Sequence, residues 1–289
     1  MTTDNQSLSE SSTTSGYQPD FLGTETVTVP SDPRLTVLDY THFSIHQDTE
    51  RRMPAITAVN IDGATLVTDI ERGNNWRLDP RLPAEHQAGE ELYARNDIDR
   101  GHVVRRRDPV WGERQVATQA NADTFHYTVC APQAGYFNQS KELWLGLEDH
   151  VLEHAATFDQ RLSVFTGCVF TAEDPSYRGF LVPRQFFKIA AWNRGGELAA
   201  SAYVLDQGEG LDMILRRGLR PGQEAGEDGP GPFKTFQIPV ADVAALTGLP
   251  VDQLAAADVL AATLAQRPAF PDVRRRWIEL SGPQDLILG

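Results

Sequence analysis

Apolar and polar residues alternate along several short segments, a pattern typical of half-buried β-strands. The segment LTVLDYTHFSIHQ (35–47) shows this alternation clearly. PAITAVNIDG (54–63) ends in an Asp-Gly pair that favours a tight turn, so ATLVTDI (64–70) is predicted to be its hairpin partner. Further strands are predicted within 117–133 (as TFHYTVC) and over 161–170, 179–192 and 197–206.

A different spacing marks the strongest helix signal, in SKELWLGLEDHVLEHAATF (140–158). Its apolar residues recur every three or four positions, and Ser140 is a plausible N-cap. A later stretch, TFQIPVADVAALTGLP, predicts a strand entering a short helix. Consecutive strands with a strong helix between them indicate the α+β class, with a central antiparallel sheet flanked by helices.

The two ends and one internal segment depart from this pattern. Residues 1–18 are rich in Ser and Thr and are predicted to form a disordered tail. Residues 19–289 are predicted to form a single domain. Within it, the Gly- and Pro-rich segment 207–234 is expected to be a flexible excursion, and about the last 40 residues a peripheral helical extension.

Composition narrows the class of protein. The chain has 289 residues and a net charge of −14, which repels nucleic acid at long range. A local basic groove still dominates at contact, because salt screens charges beyond roughly 10 Å. Two cysteines exclude a disulfide scaffold, and no apolar run approaches the ~20 residues of a membrane span. No secretory signal is visible, so a cytoplasmic location or export by a non-Sec route is expected.

The stretch NDIDRGHVVRRRDP (96–109) places a histidine in the densest cluster of arginines. Charge reasoning predicts repulsion there once His102 is protonated. The arrangement makes sense if an anion sits between these groups, and phosphate is the natural candidate.

Hydrolysis of a phosphodiester needs a base that activates water and a cation beside the phosphate. His102 has the chemistry of the base, and Arg100 can bridge phosphate oxygens. Mg²⁺ keeps most of its waters, so Asn138 alone could ligate it while Glu148 holds those waters. Each residue also has a structural interpretation: a satisfied surface histidine, a helix cap, a solvated glutamate and an ordinary charged face.

The residues Asp99-Arg100-Gly101-His102 form the Asp-Arg-Gly-His signature of the DNA/RNA non-specific endonucleases, of the ββα-metal nuclease superfamily. The chain resembles this family in several further blocks, in the family's order and spacing. These are ANADTFHYTVCAPQAGYFNQ, LWLGLEDHV and VFTGCVFTAEDPSYRGFLVPRQFFKIAAW. The likeness covers roughly residues 35–210, with weaker similarity to about residue 250, and implies the ββα-metal fold.

The resemblance implies roles for the matching positions. His102 would be the general base, Asn138 the single direct protein ligand of Mg²⁺, and Glu148 the residue that orients water around the ion or assists proton transfer. Arg100 would contact the phosphate or position neighbouring groups. Arg105 and Arg77 are predicted to bind substrate, with Mn²⁺ as an alternative ion.

Three departures from the family pattern affect these expectations. Val129 stands where the family commonly has Asn, three residues before the Pro of the Pro-Gln pair. Five residues, rather than three, separate Asn138 from Trp144. Some members also carry an Arg directly before an Asn-Trp pair, whereas this chain has NNW (74–76). That charge is expected from one of three arginines: Arg72, Arg77 or Arg81.

The sequence therefore predicts a Mg²⁺-dependent endonuclease that hydrolyses DNA and RNA without sequence or sugar specificity. Two alternatives stay open. One is a nucleic-acid-binding or regulatory protein that kept the fold but lost turnover, and the other is a phosphodiesterase for small nucleotides. DNA and RNA are the expected partners, and no membrane partner is expected.

Overall fold

A large antiparallel sheet organises the chain. The computed structural model describes residues 16–135, 160–218, 234–264, 277–281 and 285–287. Within them the strands are β1 (Thr36–Tyr40), β2 (Phe43–Asp48), β3 (Met53–Asp62), β4 (Ile98–His102), β5 (Cys130–Ala134), β6 (Arg161–Val169), β7 (Ser176–Tyr177), β8 (Phe180–Leu181), β9 (Gln185–Arg194), β10 (Glu197–Asp206), β11 (Lys234–Ile238) and β12 (Ile278–Glu279). The main sheet has the order β1-β2-β3-β6-β9-β10-β11-β12, while β4-β5 and β7-β8 form separate two-stranded ribbons.

Short helices surround these sheets. Those in the described part of the chain are α1 (Glu90–Tyr93), α2 (Arg114–Asp123), α3 (Gly208–Gly218), α4 (Val240–Thr247), α5 (Asp252–Ala256) and α6 (Val259–Leu264). None of them has the length and apolar character needed to cross a bilayer. The α+β class and the central antiparallel sheet predicted from the sequence are confirmed.

The main sheet separates two apolar layers, because successive side chains of a strand point to opposite faces. On β3, Ile56 and Ala58 pack with the segment that follows Gly16 and with α4 and α5. Val59 and Ile61 point the other way, to the face that also contains Val104 and Val129. The β4-β5 ribbon, α1 and α3 pack on this second face. The residues of the Asp-Arg-Gly-His signature therefore lie outside the main sheet and are supported by it.

The hairpin predicted over residues 54–70 is wrong. β3 ends at Asp62, whose carboxylate accepts a hydrogen bond from the amide of Ala64 and caps a single 3₁₀ turn. β3 pairs instead with β2 and with β6, the latter about 100 residues further along the chain. The local Asp-Gly signal was outweighed by burial of β3 in the sheet centre, with a strand on each side.

Two other segments differ from the predicted structure. The first half of 117–133 belongs to helix α2, and the strand within it begins only at Cys130. The start of the predicted excursion is helix α3, which buries Leu211 and Ile214 against the ribbon layer. The rest of that excursion, 219–233, lies outside the described residues, as does the predicted helix over 140–158.

The first and last described segments pack on the main sheet or extend it. Tyr17, within the predicted tail, is buried and donates its hydroxyl to the carbonyl of Val27 at 2.9 Å. Residues 1–15 lie outside the described part. At the other end, the helices α5 and α6 are followed by β12 on the sheet edge. There the side-chain amide of Gln237 exchanges two hydrogen bonds with the backbone of Ile287.

Candidate active site

The β4-β5 ribbon presents the signature residues. Its antiparallel register places His102 opposite Cys130 and Arg100 opposite Pro132. His102 and Arg100 are two residues apart on one strand, so their side chains point to the same face. The amide of Gln207 fixes the ribbon to the main sheet, because it accepts from the amide of Ala134 at 2.9 Å and donates to the carbonyl of Pro132 at 3.1 Å.

Gly101, between these two residues, faces the opposite way. A Cβ at this position would lie 1.9 Å from Cδ of Gln133, whose side chain is buried. No side chain larger than hydrogen fits there without moving Gln133. The glycine of the signature is thus required by close packing on the rear face of the ribbon.

Three contacts fix the ring of His102. It packs against Trp76, with centroids 5.0 Å apart, and meets the edge of Phe125 at 5.7 Å. One ring nitrogen donates to the backbone carbonyl of Thr124. The other, Nε2, is buried without a hydrogen-bond partner among the described residues, which assigns the Thr124 bond to Nδ1. This pairing selects the tautomer with a free lone pair on Nε2.

The imidazole of His102 is held neutral. Burial, followed by the positive charges of Arg72 and Arg106, lowers its pKa from 6.5 to about 3, and the Thr124 carbonyl offsets only part of this. Some of the residue's surface reaches solvent, but Nε2 itself is buried, and the surroundings of that atom govern the pKa. His102 therefore has the form of a base at neutral pH.

Several arginines adjoin His102. Arg106 donates to the side chain of Asn121 at 2.8 Å, and its pKa is lowered by burial and then by Arg72, Arg107 and Arg105. The repulsion expected from the sequence is therefore present in the structure. An anion bound among these groups would relieve it, and phosphate geometry suits guanidinium donors.

Arg100 is enclosed by aromatic rings. Its guanidinium carbon lies 5.8 Å from the ring centre of Trp76, 5.7 Å from that of Tyr93 and 5.9 Å from that of Tyr127. Its Nη2 donates to Oε2 of Glu90 at 2.6 Å. Trp76 touches both signature side chains, so Arg100 and His102 flank one indole ring.

The structure brings together only part of the predicted site. Asn138 and Glu148 lie in 136–159, outside the described residues, so their roles stay predictions. Arg105 is buried, with 8% of its surface exposed, and it has interaction partners. Arg77 donates to the carbonyls of Asn75 and Ala122, so its guanidinium is already engaged.

The three arginines considered near the NNW segment differ in their surroundings. Arg81 forms a forked ion pair with Asp79, with Nη2 and Oδ2 2.7 Å apart. Arg72 is exposed, and its charge acts on His102. Arg72 is therefore better placed than Arg77 or Arg81 to meet a phosphate near His102. Val129, which stands in place of the family Asn, is fully buried in apolar surroundings.

Sequence reasoning missed Glu90, Tyr127, Tyr93 and Thr124. Glu90 is an exposed acid in an acidic chain, and no motif singles it out. The carbonyl of Thr124 is a backbone group, so residue type carries no signal for it. Among the described residues, no group of three or more His, Cys, Asp or Glu could hold a metal ion.

The fold defines the class of protein. A chain in the crystal structure of the EndoG/EndoGI complex matches with a TM-score of 0.56 and 20% sequence identity, over 78% of this chain and 88% of that one. The protein has the fold of the ββα-metal nucleases, with the signature residues on its two-stranded ribbon.

The sequence comparison is more specific. The family model for DNA/RNA non-specific endonucleases matches residues 23–258, and the chain belongs to that family. The resemblance inferred from the sequence is thereby confirmed.

Individual relatives share parts of their length with this chain. The uncharacterized protein y4fB of Sinorhizobium fredii (strain NBRC 101917 / NGR234) is 41% identical over 270 residues, which are 84% of this chain and 40% of that protein. Mitochondrial endonuclease G of Homo sapiens is 25% identical over 61% of this chain, and that of Bos taurus 28% over 45%. The chain spans 55% and 46% of those two proteins, about half of each.

Proposed function

We propose that this protein is a Mg²⁺-dependent endonuclease that hydrolyses phosphodiester bonds of DNA and RNA. The observation that carries the proposal is the ring of His102, which has one nitrogen bonded to the Thr124 carbonyl and the other buried with no partner among the residues that the structure describes. Membership of the DNA/RNA non-specific endonuclease family and similarity to endonuclease G support the same activity.

In this proposal His102 is the general base. Its Nε2 accepts a proton from the attacking water, and the Thr124 carbonyl stabilises the positive charge that then forms on the ring. The low pKa of His102 keeps this nitrogen unprotonated before substrate binds. The negative charge of a bound phosphate would raise that pKa and strengthen the base when it is needed.

Arginines supply the phosphate contacts. Arg100 and Arg72 are the proposed contacts beside His102. Arg105, which is buried, and Arg77, which donates to two backbone carbonyls, would have to exchange their present contacts for a phosphate. Contacts to phosphate oxygens carry no base information, so they suit cleavage without sequence preference. The local arginine cluster would attract the backbone within a Debye length even though the whole chain carries −14.

The proposed metal site centres on Asn138, with Glu148 orienting the surrounding water. Mg²⁺ favours oxygen ligands and keeps several waters, so one amide oxygen is a sufficient direct protein ligand. When bound, the ion supplies positive charge that stabilises the charge developing on the phosphate. Mn²⁺ has the same ligand preference and is proposed as an alternative ion.

Cleavage assays test the proposal. Supercoiled plasmid and single-stranded RNA should both be cut in Mg²⁺, and EDTA, His102→Ala or Asn138→Ala should abolish cutting. His86→Gln is the matched control, because His86 lies in a 3₁₀ turn and contacts the carbonyl of Thr49, away from the ribbon. Loss of cutting in the control would mean that the assay reports folding rather than catalysis.

Two outcomes would favour the alternatives. If the wild type binds duplex DNA but never cuts it in any divalent metal, the protein is a nucleic-acid-binding or regulatory member of the family. If it hydrolyses bis-p-nitrophenyl phosphate and small dinucleotides but not plasmid, it is a small-nucleotide phosphodiesterase.

A further inference from the structure

We propose that Glu90 and Tyr127 are positioning residues that hold the guanidinium of Arg100 in the orientation that meets the substrate phosphate. The inference rests on the proposed nuclease function and adds two residues to it. Neither belongs to the Asp-Arg-Gly-His signature.

The side chains of Arg100 and Tyr127 both donate a hydrogen bond to one carboxylate oxygen of Glu90. Oε2 of Glu90 accepts a hydrogen bond from Nη2 of Arg100 at 2.6 Å and another from the hydroxyl of Tyr127, also at 2.6 Å. The Tyr127 bond and then the Arg100 bond hold the pKa of Glu90 below its usual range, so the carboxylate is charged. Two donors converging on one oxygen define the direction from which Arg100 must approach.

Aromatic rings limit the remaining freedom of Arg100. The guanidinium lies among the rings of Trp76, Tyr93 and Tyr127, and Tyr93 and Tyr127 are nearly parallel at 11°. The side chain of Arg100 is 28% exposed. An ion pair in open solvent costs side-chain entropy and fixes the orientation of its partners only weakly. A guanidinium packed against aromatic rings has already lost much of its conformational freedom. The carboxylate engages Nη2, and Nε is buried with no hydrogen-bond partner in the described part of the chain.

The backbone that carries Glu90 is also fixed. Helix α1 has only four residues, too few to be stable alone. Nη1 of Arg178, from the β7-β8 turn, donates to the carbonyls of Glu91 and Leu92 at 3.3 Å each and of Ala94 at 2.7 Å. These bonds engage two carbonyls of the helix and that of its C-cap residue, Ala94, so the backbone that carries Glu90 is anchored to the β7-β8 turn.

A positioning role predicts an unusual combination of effects. Glu90 is an anion beside a site for a polyanion, so removing its charge should not weaken nucleic-acid binding and should tighten it by up to about threefold. Removing the charge also loosens Arg100, so kcat should fall by about tenfold. A residue that merely stabilised the fold would weaken binding and turnover together.

The experiment compares Glu90→Gln, Tyr127→Phe and the control Glu85→Gln, an exposed acid in a 3₁₀ turn. Measurements are kcat and KM on plasmid in Mg²⁺, and Kd for a short duplex in EDTA. We expect kcat to fall about tenfold in Glu90→Gln and about threefold in Tyr127→Phe, because the phenyl ring remains. Kd should be unchanged or tighter, and the control should match wild type.

The same substitutions are then repeated in Arg100→Ala. If Glu90 acts through Arg100, Glu90→Gln should lower kcat by less than about twofold in that background. An equal loss in both backgrounds overturns the inference, as does a kcat of Glu90→Gln equal to that of an active wild type. Wild-type protein that cuts neither DNA nor RNA would instead overturn the proposed function, and this result is seen before any variant is made.

Discussion

The buried, neutral His102 makes a specific prediction about stability in acid. Its pKa is about 3 in the folded protein, against 6.5 ordinarily. Between these values the unfolded chain binds a proton that the folded chain does not. Stability therefore falls as the pH drops from 6.5 towards 3, and above 6.5 the group contributes no pH dependence.

The size of the effect follows from those two values. A shift of one pKa unit corresponds to about 1.4 kcal/mol, so full protonation would cost about 5 kcal/mol. Between about pH 7 and about pH 4.5, the part due to His102 is about 2.5 kcal/mol. Burial is the largest cause of the shift and Arg72 the next, so Arg72→Gln should reduce this loss only in part.

Urea unfolding at the two pH values measures the effect. Carboxylates also titrate in this range, so the informative quantity is the difference between variants. His102→Gln, which cannot take up the proton, should lose about 2.5 kcal/mol less than wild type on acidification. His86→Gln is the control for replacing a histidine outside the ribbon. Equal losses in wild type and His102→Gln, within about 0.5 kcal/mol, would refute the assignment of a buried neutral imidazole.

Three further substitutions test the packing around the site. Gly101→Ala would place a Cβ 1.9 Å from Cδ of Gln133, and it should cost about 1–3 kcal/mol in urea unfolding and lower cleavage. Val129→Asn restores the family residue but buries an amide in an apolar cluster, so thermal unfolding should show a loss of about 1–3 kcal/mol; unchanged stability would mean that the amide finds partners there. Arg178→Ala removes three hydrogen bonds to backbone carbonyls at the end of α1. It should lower kcat severalfold with little change in Kd. An unchanged kcat would show that α1 keeps its position without these bonds.

Sequence patterns predicted the strands that are apolar runs bounded by turn signals. β6 and β10 were located to within one residue and β9 to within six, and all three are buried along most of their length. Helix α2 was missed because its buried positions are two alanines and two polar residues, which form no strong apolar stripe: Ala117, Ala120, Asn121 and Asp123. Helix α3 was missed because Gly and Pro dominate the segment 207–234 as a whole. The first part of that segment, which forms the helix, does have an apolar stripe.

The candidate site was predictable only where a motif marks it. Arg100 and His102 stand out through their signature, and the structure places them on one face of the ribbon. The contacts that define their chemistry join residues far apart in the chain, such as Tyr127 and Glu90, which are separated by 37 positions. No periodicity or composition encodes such a contact, because it depends on how α1 and the ribbon pack on the sheet.

The arginines around His102 repel one another and would repel a protonated imidazole, and this repulsion bears on the proposed function. Burial lowers the pKa of both His102 and Arg106, and their positive neighbours lower it further, so each group is less readily protonated than it would be in water. A bound phosphate offsets the charge of those neighbours, and by linkage the proton affinity of His102 must rise as phosphate binds. The histidine is then a weak base in the free protein and a stronger one in the complex. The same repulsion that disfavours a charged imidazole in the free site therefore favours the polyanion whose hydrolysis we propose.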